Sequence, residues 1–239
     1  MEEKFTEKIS VILPVYNEER NIEICVSKVE DFLKRHFLSF SIIAVNDGSS
    51  DRTSEIIERL KKAYTELSVI SHTKNRGYGS ALISGLRSAE TDLVFFMDAD
   101  NQFDIREMKN FFPYLKEYDA IIGFREKRND PALRSLNAWL WNRLVRNVLH
   151  LRIKDINCAF KVFNRRAMKF ISPETLRSNS GSVNAEILYR LRENGARIKE
   201  VGVSHYQRKH GKQTGANFKV VARSLIQVFR IKKTFKKNS

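Results

Sequence analysis

The sequence predicts an α/β fold in which a mostly parallel sheet is flanked by helices. Two observations carry that prediction. Short runs of β-branched and apolar residues, uninterrupted as both faces of a central strand require, alternate with longer segments whose apolar residues recur at helical spacing. Each run ends in a turn rich in Asn, Asp, Gly and Ser that leads into the next periodic segment, the pattern of strand–helix–strand crossovers.

Ile9–Val15 is the first strand, closed by Pro14, which cannot donate to a ladder. Asn17-Glu18-Glu19 then opens a helix, with Asn17 as its cap and Ile22, Val26, Val29 and Leu33 on one face. Residues 40–45 form a second strand ending in Asn46-Asp47-Gly48-Ser49-Ser50-Asp51, and Ile56, Ile57 and Leu60 mark the helix after it. Leu67–Ser71 is the third strand, followed by Asn75-Arg76-Gly77-Tyr78-Gly79 and a helix through Leu82, Leu86 and Ala89. Leu93–Met97 is the fourth, and it stops abruptly in Asp98-Ala99-Asp100-Asn101-Gln102. A helix over 108–115 leads to a fifth strand at 119–123.

Ligands of such sheets bind at the carboxyl ends of the strands. Tyr16-Asn17-Glu18, Asp47-Gly48-Ser49, Arg76-Gly77-Tyr78 and Asp98-Ala99-Asp100 therefore fall on one rim. Asp98 and Asp100 are two residues apart, which in an extended chain puts both side chains on the same side. Two converging carboxylates repel unless a cation sits between them; hard oxygen ligands suit Mg²⁺ or Mn²⁺, and the cation in turn suits a diphosphate. Helix-capping acids in a polar loop are the competing reading, because turns also select Asn, Asp, Ser and Gly. Recurrence at four successive strand ends favours the site. A GxxxxGK[ST] loop is absent and Arg76-Gly77-Tyr78-Gly79-Ser80 is not GxGxxG, so P-loop and dinucleotide fingerprints are excluded.

Beyond Gly123 the alternation breaks. Residues 125–131 read as a charged loop, and Leu133, Leu136, Leu140, Leu144 and Val148 form a helical stripe flanked by Trp139, Trp141, Arg134, Arg143 and Arg146. Such a helix lies on a membrane interface or docks on the protein's own core. An extended segment at 155–163, a short helix at 164–171, a helix at 183–191 carrying Glu186 and stopped by Gly195, and a strand at 198–203 follow. The strand feeds Tyr206-Gln207-Arg208-Lys209-His210-Gly211-Lys212-Gln213-Thr214-Gly215, a loop able to close over phosphates or to remain solvated. The tail, 216–239, reads as a helix with Phe218, Val221, Leu225 and Phe229 on its apolar side, Arg223, Gln227 and Arg230 opposite, and a lysine-rich end. Each cation near an anionic leaflet is worth roughly 1 kcal/mol; a frayed, solubilising tail explains the same residues.

The 239 residues suffice for one α/β domain, and their net charge of +15 implies an anionic partner: nucleic acid, an acidic membrane surface or a phosphorylated ligand. The cations are not gathered into an aromatic-interleaved motif, which argues against nucleic acid. Cys25 and Cys158 lie in apolar patterns without metal-ligand spacing, as reduced core residues of a cytoplasmic protein do. The charged first eight residues predict no signal peptide, and no apolar stretch reaches the roughly 18 residues of a bilayer span.

Taken together, Ile-Leu-Pro-Val-Tyr-Asn-Glu ending at Glu18, Val-Asn-Asp-Gly-Ser-Ser-Asp ending at Asp51, Asn-Arg-Gly-Tyr-Gly ending at Gly79 and Asp-Ala-Asp-Asn-Gln ending at Gln102 resemble the family-two glycosyltransferases of the GT-A fold. Gly123-Phe124-Arg125, Asp155-Ile156-Asn157-Cys158-Ala159-Phe160-Lys161 and Arg208-Lys209-His210-Gly211 resemble its dolichyl-phosphate mannosyltransferase branch and related polyprenyl-phosphate glucosyltransferases. The resemblance covers residues 9–215. It implies a GT-A catalytic domain over 1–215, with a nucleotide-sugar half at about 8–124 and an acceptor half at about 125–215, before the basic amphipathic helix at 216–239.

It also implies roles. Pro14, Tyr16, Glu18 and Asp47 match base- and ribose-holding positions, with Gly77 and Ala99 lining the same substrate site. Asp98, Asp100 and Gln102 match the Mg²⁺ or Mn²⁺ and diphosphate site, Asp100 being catalytic. Arg125, Arg134 and Arg208 match the cations that grip acceptor phosphate and donor diphosphate. Three positions depart from the pattern: Asn46 replaces the first acid of the usual acid pair, Ala138 replaces a hydroxyl, and His210-Gly211-Lys212-Gln213-Thr214 replaces a serine-lysine pair. Many relatives continue into transmembrane helices.

The expected activity is inverting, metal-dependent transfer of a hexose from a nucleotide sugar of the GDP-mannose or UDP-glucose type to a polyprenyl or dolichyl phosphate. The protein would sit peripherally at the cytosolic membrane face, with or without a membrane-anchoring partner. Transfer to a glycan or soluble hydroxyl is the same-fold alternative; it requires a carboxylate base, for which Glu186 and Asp155 are candidates. A basic nucleic-acid or membrane-surface binding module with merely structural acid pairs is the alternative of a different class.

Overall fold

Seven strands assemble into one sheet in the order β3-β2-β1-β4-β6-β5-β7: β1 is Ile9–Val15, β2 Phe40–Asn46, β3 Leu67–Ser71, β4 Leu93–Met97, β5 Ala120–Arg128, β6 Phe160–Asn164 and β7 Ile198–His205. The structure is a computed structural model describing residues 3–128, 132–208 and 227–233, without the side chains of 127, 128 and 132–138. β1 pairs in parallel with both β2 and β4, and β2 with β3, so the first four strands all end on one rim as the apolar runs required. Helices α1 (Ile22–His36), α2 (Thr53–Ala63) and α3 (Tyr78–Ser88) are the crossovers; α4 (Ala132–Leu149), α5 (Arg165–Ile171) and α6 (Ser182–Glu193) follow the fifth and sixth strands.

Every residue of β1 and β4 is buried, which explains why neither run tolerates a charged side chain until its end. Fully burying one such Val, Leu, Ile or Phe side chain contributes roughly 1.5–3 kcal/mol. Aromatic pairs then hold β6 in place: the Phe160 ring meets Phe95 of β4 edge-on at 4.7 Å and Phe111, from the segment between β4 and β5, at 5.4 Å. Cys25 and Cys158 are both buried free thiols.

Several boundaries differ from the sequence reading. The fifth strand does not neighbour the fourth, because β6 inserts between them antiparallel to both. Residues 125–128 are strand, not loop, since β5 continues along β7 through an irregularity between Arg125 and Arg128. Asn17 does not cap α1, which starts at Ile22; with φ of 55° it turns back toward the second rim turn. The segment expected to be helical at 108–115 is a 3₁₀ helix over Ile105–Tyr114 containing Pro113, whose missing N–H cannot join an α ladder. On α4 the most deeply buried residues are Asn142, Val145 and Leu149; Leu144 and Val148 of the expected stripe pack against the core at its edge, and Leu140 is 50% exposed. Of the expected tail helix, 216–226 and 234–239 lie outside the described residues; 227–233 are helical, but Val228 and Ile231 face inward and Phe229 is 58% exposed.

Candidate active site

The first three rim turns are laced into one cradle. Asn17 Oδ1 accepts the Ser50 N–H at 2.8 Å, and the Glu18 N–H donates to Thr53 Oγ1 at 2.8 Å, tying the turn after β1 to the turn after β2. Asp47, 2% exposed, ties the second turn to the third: Oδ1 accepts the Arg76 N–H at 2.9 Å and Oδ2 the Gly77 N–H at 2.8 Å. His72 lies 2.6 Å from Asp47 Oδ1 through Nδ1 and 2.9 Å from Ser84 Oγ through Nε2. Asp47, expected to hold base or ribose, thus has both carboxylate oxygens engaged in shaping the turn. Gly77 has φ of 95°, and a Cβ there would sit 2.4 Å from the Asn179 carbonyl oxygen; at Gly79 it would sit 2.3 Å from that of Ser178. Only glycine lets the 178–181 backbone press this closely against the third turn.

Pro14 lies on β1 opposite Val45, and Tyr16 is half-buried just beyond the strand. Asp98, Ala99 and Asp100 leave β4 at the centre of the rim, where Asp100 Oδ1 accepts the Gln102 N–H at 3.0 Å. Asp100 Oδ2 accepts Arg208 Nη1 at 3.1 Å, and Arg208 Nη2 donates to Glu18 Oε1 at 2.5 Å. Glu18 Oε2 accepts Asn21 Nδ2 at 2.7 Å. Gln102, expected among the metal donors, turns its Nε2 to the Tyr206 carbonyl at 2.9 Å, while the Tyr206 N–H donates to the Gln102 carbonyl at 2.9 Å. This two-bond strap delivers Arg208 from β7 to the acids. Arg134 lies in α4, but its side chain is outside the described residues, as are residues 209–215, expected to close over phosphates.

A second layer beneath the rim is charged. Arg125 donates from Nε to Asp155 Oδ2 at 2.6 Å and from Nη2 to Oδ1 at 2.9 Å. Lys161, paired with Phe96 across the β4–β6 ladder, is 0% exposed. Its Nζ donates to the carbonyls of Cys158 and Ile156 and to Asn184 Oδ1 at 3.0 Å. Burial pulls the Lys161 ammonium down to about 8. The Tyr78 hydroxyl is buried toward Asp98 and Asn184 without hydrogen-bond geometry to either. The sequence reading places Tyr78 in a rim turn and Lys161 in a family-like motif without giving either a role, and it does not name His72; a lysine inside the apolar run Phe160-Lys161-Val162-Phe163 was the available signal for burial.

Desolvation, with the adjacent Asp100 charge adding to it, pushes the Asp98 carboxyl from 3.8 up to about 7, against the opposing pull of Arg125 and Lys161. Burial likewise raises Glu18, Arg208 and Asn21 notwithstanding. An acid raised in this way beside the Asp100 charge fits a divalent cation shared by the two. Among the described residues no group of three His, Cys, Asp or Glu side chains gathers as a metal site. Two carboxylates nonetheless suffice for Mg²⁺ or Mn²⁺ when diphosphate oxygens and water complete the shell.

The shift has a sign. The folded protein holds the Asp98 proton to higher pH than the unfolded chain does, so this group lowers stability as pH rises from about 4 to about 7. Lys161, shifted down, acts in the opposite sense only above about 8. Asp98→Asn is therefore expected to raise the thermal midpoint of metal-free protein at about pH 8 but not at about pH 5. Unfolding scans in chelator at both pH values check this; equal midpoints for variant and wild type at pH 8 would contradict it.

A sequence profile described as Glycosyl transferase family 2 matches residues 10–173, a span holding all four rim turns. The chain belongs to glycosyl transferase family 2. Glycosyltransferase AglD of Haloferax volcanii is 30% identical over 206 residues, covering 82% of this chain and 32% of AglD. The undecaprenyl-phosphate 4-deoxy-4-formamido-L-arabinose transferase of Shewanella sediminis is 30% identical over 167 residues, covering 67% of this chain and 49% of that protein. The chain thus spans half or less of the length of these two relatives. Mannosyl-3-phosphoglycerate synthase from Rubrobacter xylanophilus superposes with a TM-score of 0.72 at 17% identity, over 98% of this chain and 76% of that one. Glucosyl-3-phosphoglycerate synthase from Mycobacterium tuberculosis, solved with Mn²⁺, UDP and glucosyl-3-phosphoglycerate, does so with a TM-score of 0.67 at 20% identity, over 93% and 80%. At these identities the likeness shows a shared GT-A-like fold.

Proposed function

We propose that this family-two chain transfers a hexose from a nucleotide sugar to a polyprenyl phosphate, with inversion at the anomeric carbon. One observation carries the choice of acceptor: both candidate bases for a hydroxyl acceptor are already bound by arginine. Asp155 is bridged by Arg125 through two bonds. Glu186 accepts Arg190 Nη2 at 2.8 Å and the Ser178 N–H at 3.0 Å. Carboxylates so engaged would have to give up these bonds to reach an acceptor hydroxyl, whereas a phosphate oxygen is anionic already and needs no base. The Shewanella relative's name specifies undecaprenyl phosphate, which supports the same acceptor class.

The donor side follows from the rim. Pro14, Tyr16 and Glu18 border the space for base and ribose, and Asp47 holds the Gly77 turn that closes it. A Mg²⁺ or Mn²⁺ held by Asp98 and Asp100 would offset the charge of the departing diphosphate. Arg125, Arg134 and Arg208 would hold the phosphates without themselves deprotonating, which suits guanidinium better than lysine. Trp139 is 50% exposed on α4 with Arg143 stacked 5.4 Å over its ring, and no helix of the described residues is long and apolar enough to cross a membrane. The exposed Trp139–Arg143 pair supports peripheral contact with a membrane, proposed here at the cytosolic face, with or without an anchoring partner.

The test is a donor screen with purified protein, Mn²⁺ and a short polyprenyl phosphate, following lipid-linked sugar by mass. Transfer from GDP-mannose, UDP-glucose or a related donor is expected. Before it, UDP or GDP with Mn²⁺ should raise the thermal midpoint by more than the two added separately. An equal response to any polyanion would instead mark a non-enzymatic basic surface.

A further inference from the structure

Arg208 sits where a metal-bound diphosphate would need the acids to be open. Its two terminal nitrogens are divided between two carboxylates, Nη2 on Glu18 Oε1 at 2.5 Å and Nη1 on Asp100 Oδ2 at 3.1 Å. The three side chains are between 9% and 13% exposed, so the contact is nearly dry. Of the two Asp100 oxygens, Oδ1 already accepts the Gln102 N–H, and the guanidinium takes Oδ2. The strap between Gln102 and Tyr206 holds the chain two residues away, so Arg208 arrives with little conformational freedom to lose.

We propose that Arg208 makes the site selective for a divalent ion that arrives with a diphosphate, over the bare ion, by serving as the acids' own counter-cation until phosphate draws it off. This rests on the metal and donor roles proposed above for Asp100. A bare Mn²⁺ approaching Asp100 must break a buried ion pair and leave a guanidinium facing a second positive charge. A metal–diphosphate complex brings its own anion: the planar fork that leaves Asp100 and Glu18 finds phosphate oxygens of matching geometry. One ion pair is exchanged for another, and the net charge of the site stays near balance. The same residue therefore opposes the ion alone and favours the ion with nucleotide.

The experiment measures Mn²⁺ binding to the full chain by electron paramagnetic resonance of the free ion, without nucleotide and then with UDP or GDP. Wild type, Arg208→Gln, Arg208→Lys and Asp100→Asn are compared after their thermal midpoints are recorded. Arg208→Gln is expected to bind bare Mn²⁺ at least about tenfold tighter than wild type, and Mn²⁺ with nucleotide at least about tenfold weaker. Arg208→Lys should fall between, because an ammonium cannot divide a planar fork between two carboxylates. If Arg208→Gln binds bare Mn²⁺ no tighter than wild type while Asp100→Asn abolishes binding of Mn²⁺ with nucleotide, the counter-cation role is overturned and the metal reading stands. If Asp100→Asn leaves binding of Mn²⁺ with nucleotide intact, both fall together.

Discussion

Asp100→Asn is expected to lower sugar transfer by roughly a hundredfold or more, the usual scale for losing one preorganised electrostatic contact to a transition state. The substitution is nearly isosteric, and the Gln102 N–H can still donate to the retained side-chain oxygen, so the turn should keep its shape. The charge is lost, and with it the bond that Arg208 Nη1 donates to Oδ2. The departing diphosphate then leaves against an uncompensated site, and the part of nucleotide affinity that depends on Mn²⁺ disappears with the turnover. Rates with saturating donor and acceptor, together with calorimetric nucleotide titrations with and without Mn²⁺, separate the two effects. Unchanged turnover with unchanged metal-assisted affinity would remove the central support for the proposed chemistry.

Lys161→Met carries the largest expected cost in stability. Methionine fills much the same volume, but the carbonyls of Ile156 and Cys158 and the Asn184 side-chain oxygen lose the donor they converge on, in a place water does not reach. Removing one member of a buried charged network typically costs about 3–5 kcal/mol. For a chain of this size that corresponds to a fall of about 6–20 °C in thermal midpoint. Asp98 would also lose a compensating charge, since Lys161 opposes the burial that raises it. Thermal and urea unfolding of variant and wild type provide the check, and a midpoint within about 2 °C of wild type would show that the ammonium contributes little.

The parts of the fold that could be read from the chain are those governed by local pattern. Apolar and β-branched runs gave the first four parallel strands, and helical spacing at Ile22, Val26, Val29 and Leu33 gave the inner face of α1, all four of these helix residues being buried. Patterns that depend on a distant partner were less legible. Residues 125–128 look like a polar loop, and become strand because β7 lies beside them. Among the described residues, the stripe on α4 meets the core only through Leu144 and Val148 and misses Asn142, since the turn that receives Asn142, at Ile156, is fourteen residues downstream. Asn17 has the chemistry of a helix cap, yet Ser50 supplies a better-placed partner across the rim.

For the site, sequence alone determined the inventory: two acids spaced to converge at the end of a buried strand, three further rim turns of small polar residues, and arginines in the later half of the chain. Spacing and hydrophobic pattern are local properties, so they survive in one dimension. Which carboxylate meets which cation was decided only by the tertiary structure. Asp47 turns inward to Arg76 and Gly77, Asp155 and Glu186 are bound by Arg125 and Arg190, and Arg208 closes on Glu18 and Asp100 across separations of up to 190 residues. Ion pairing acts through space and strengthens as water is excluded, and the depth of burial at each acid is set by the packing of strands that are remote from it in the chain.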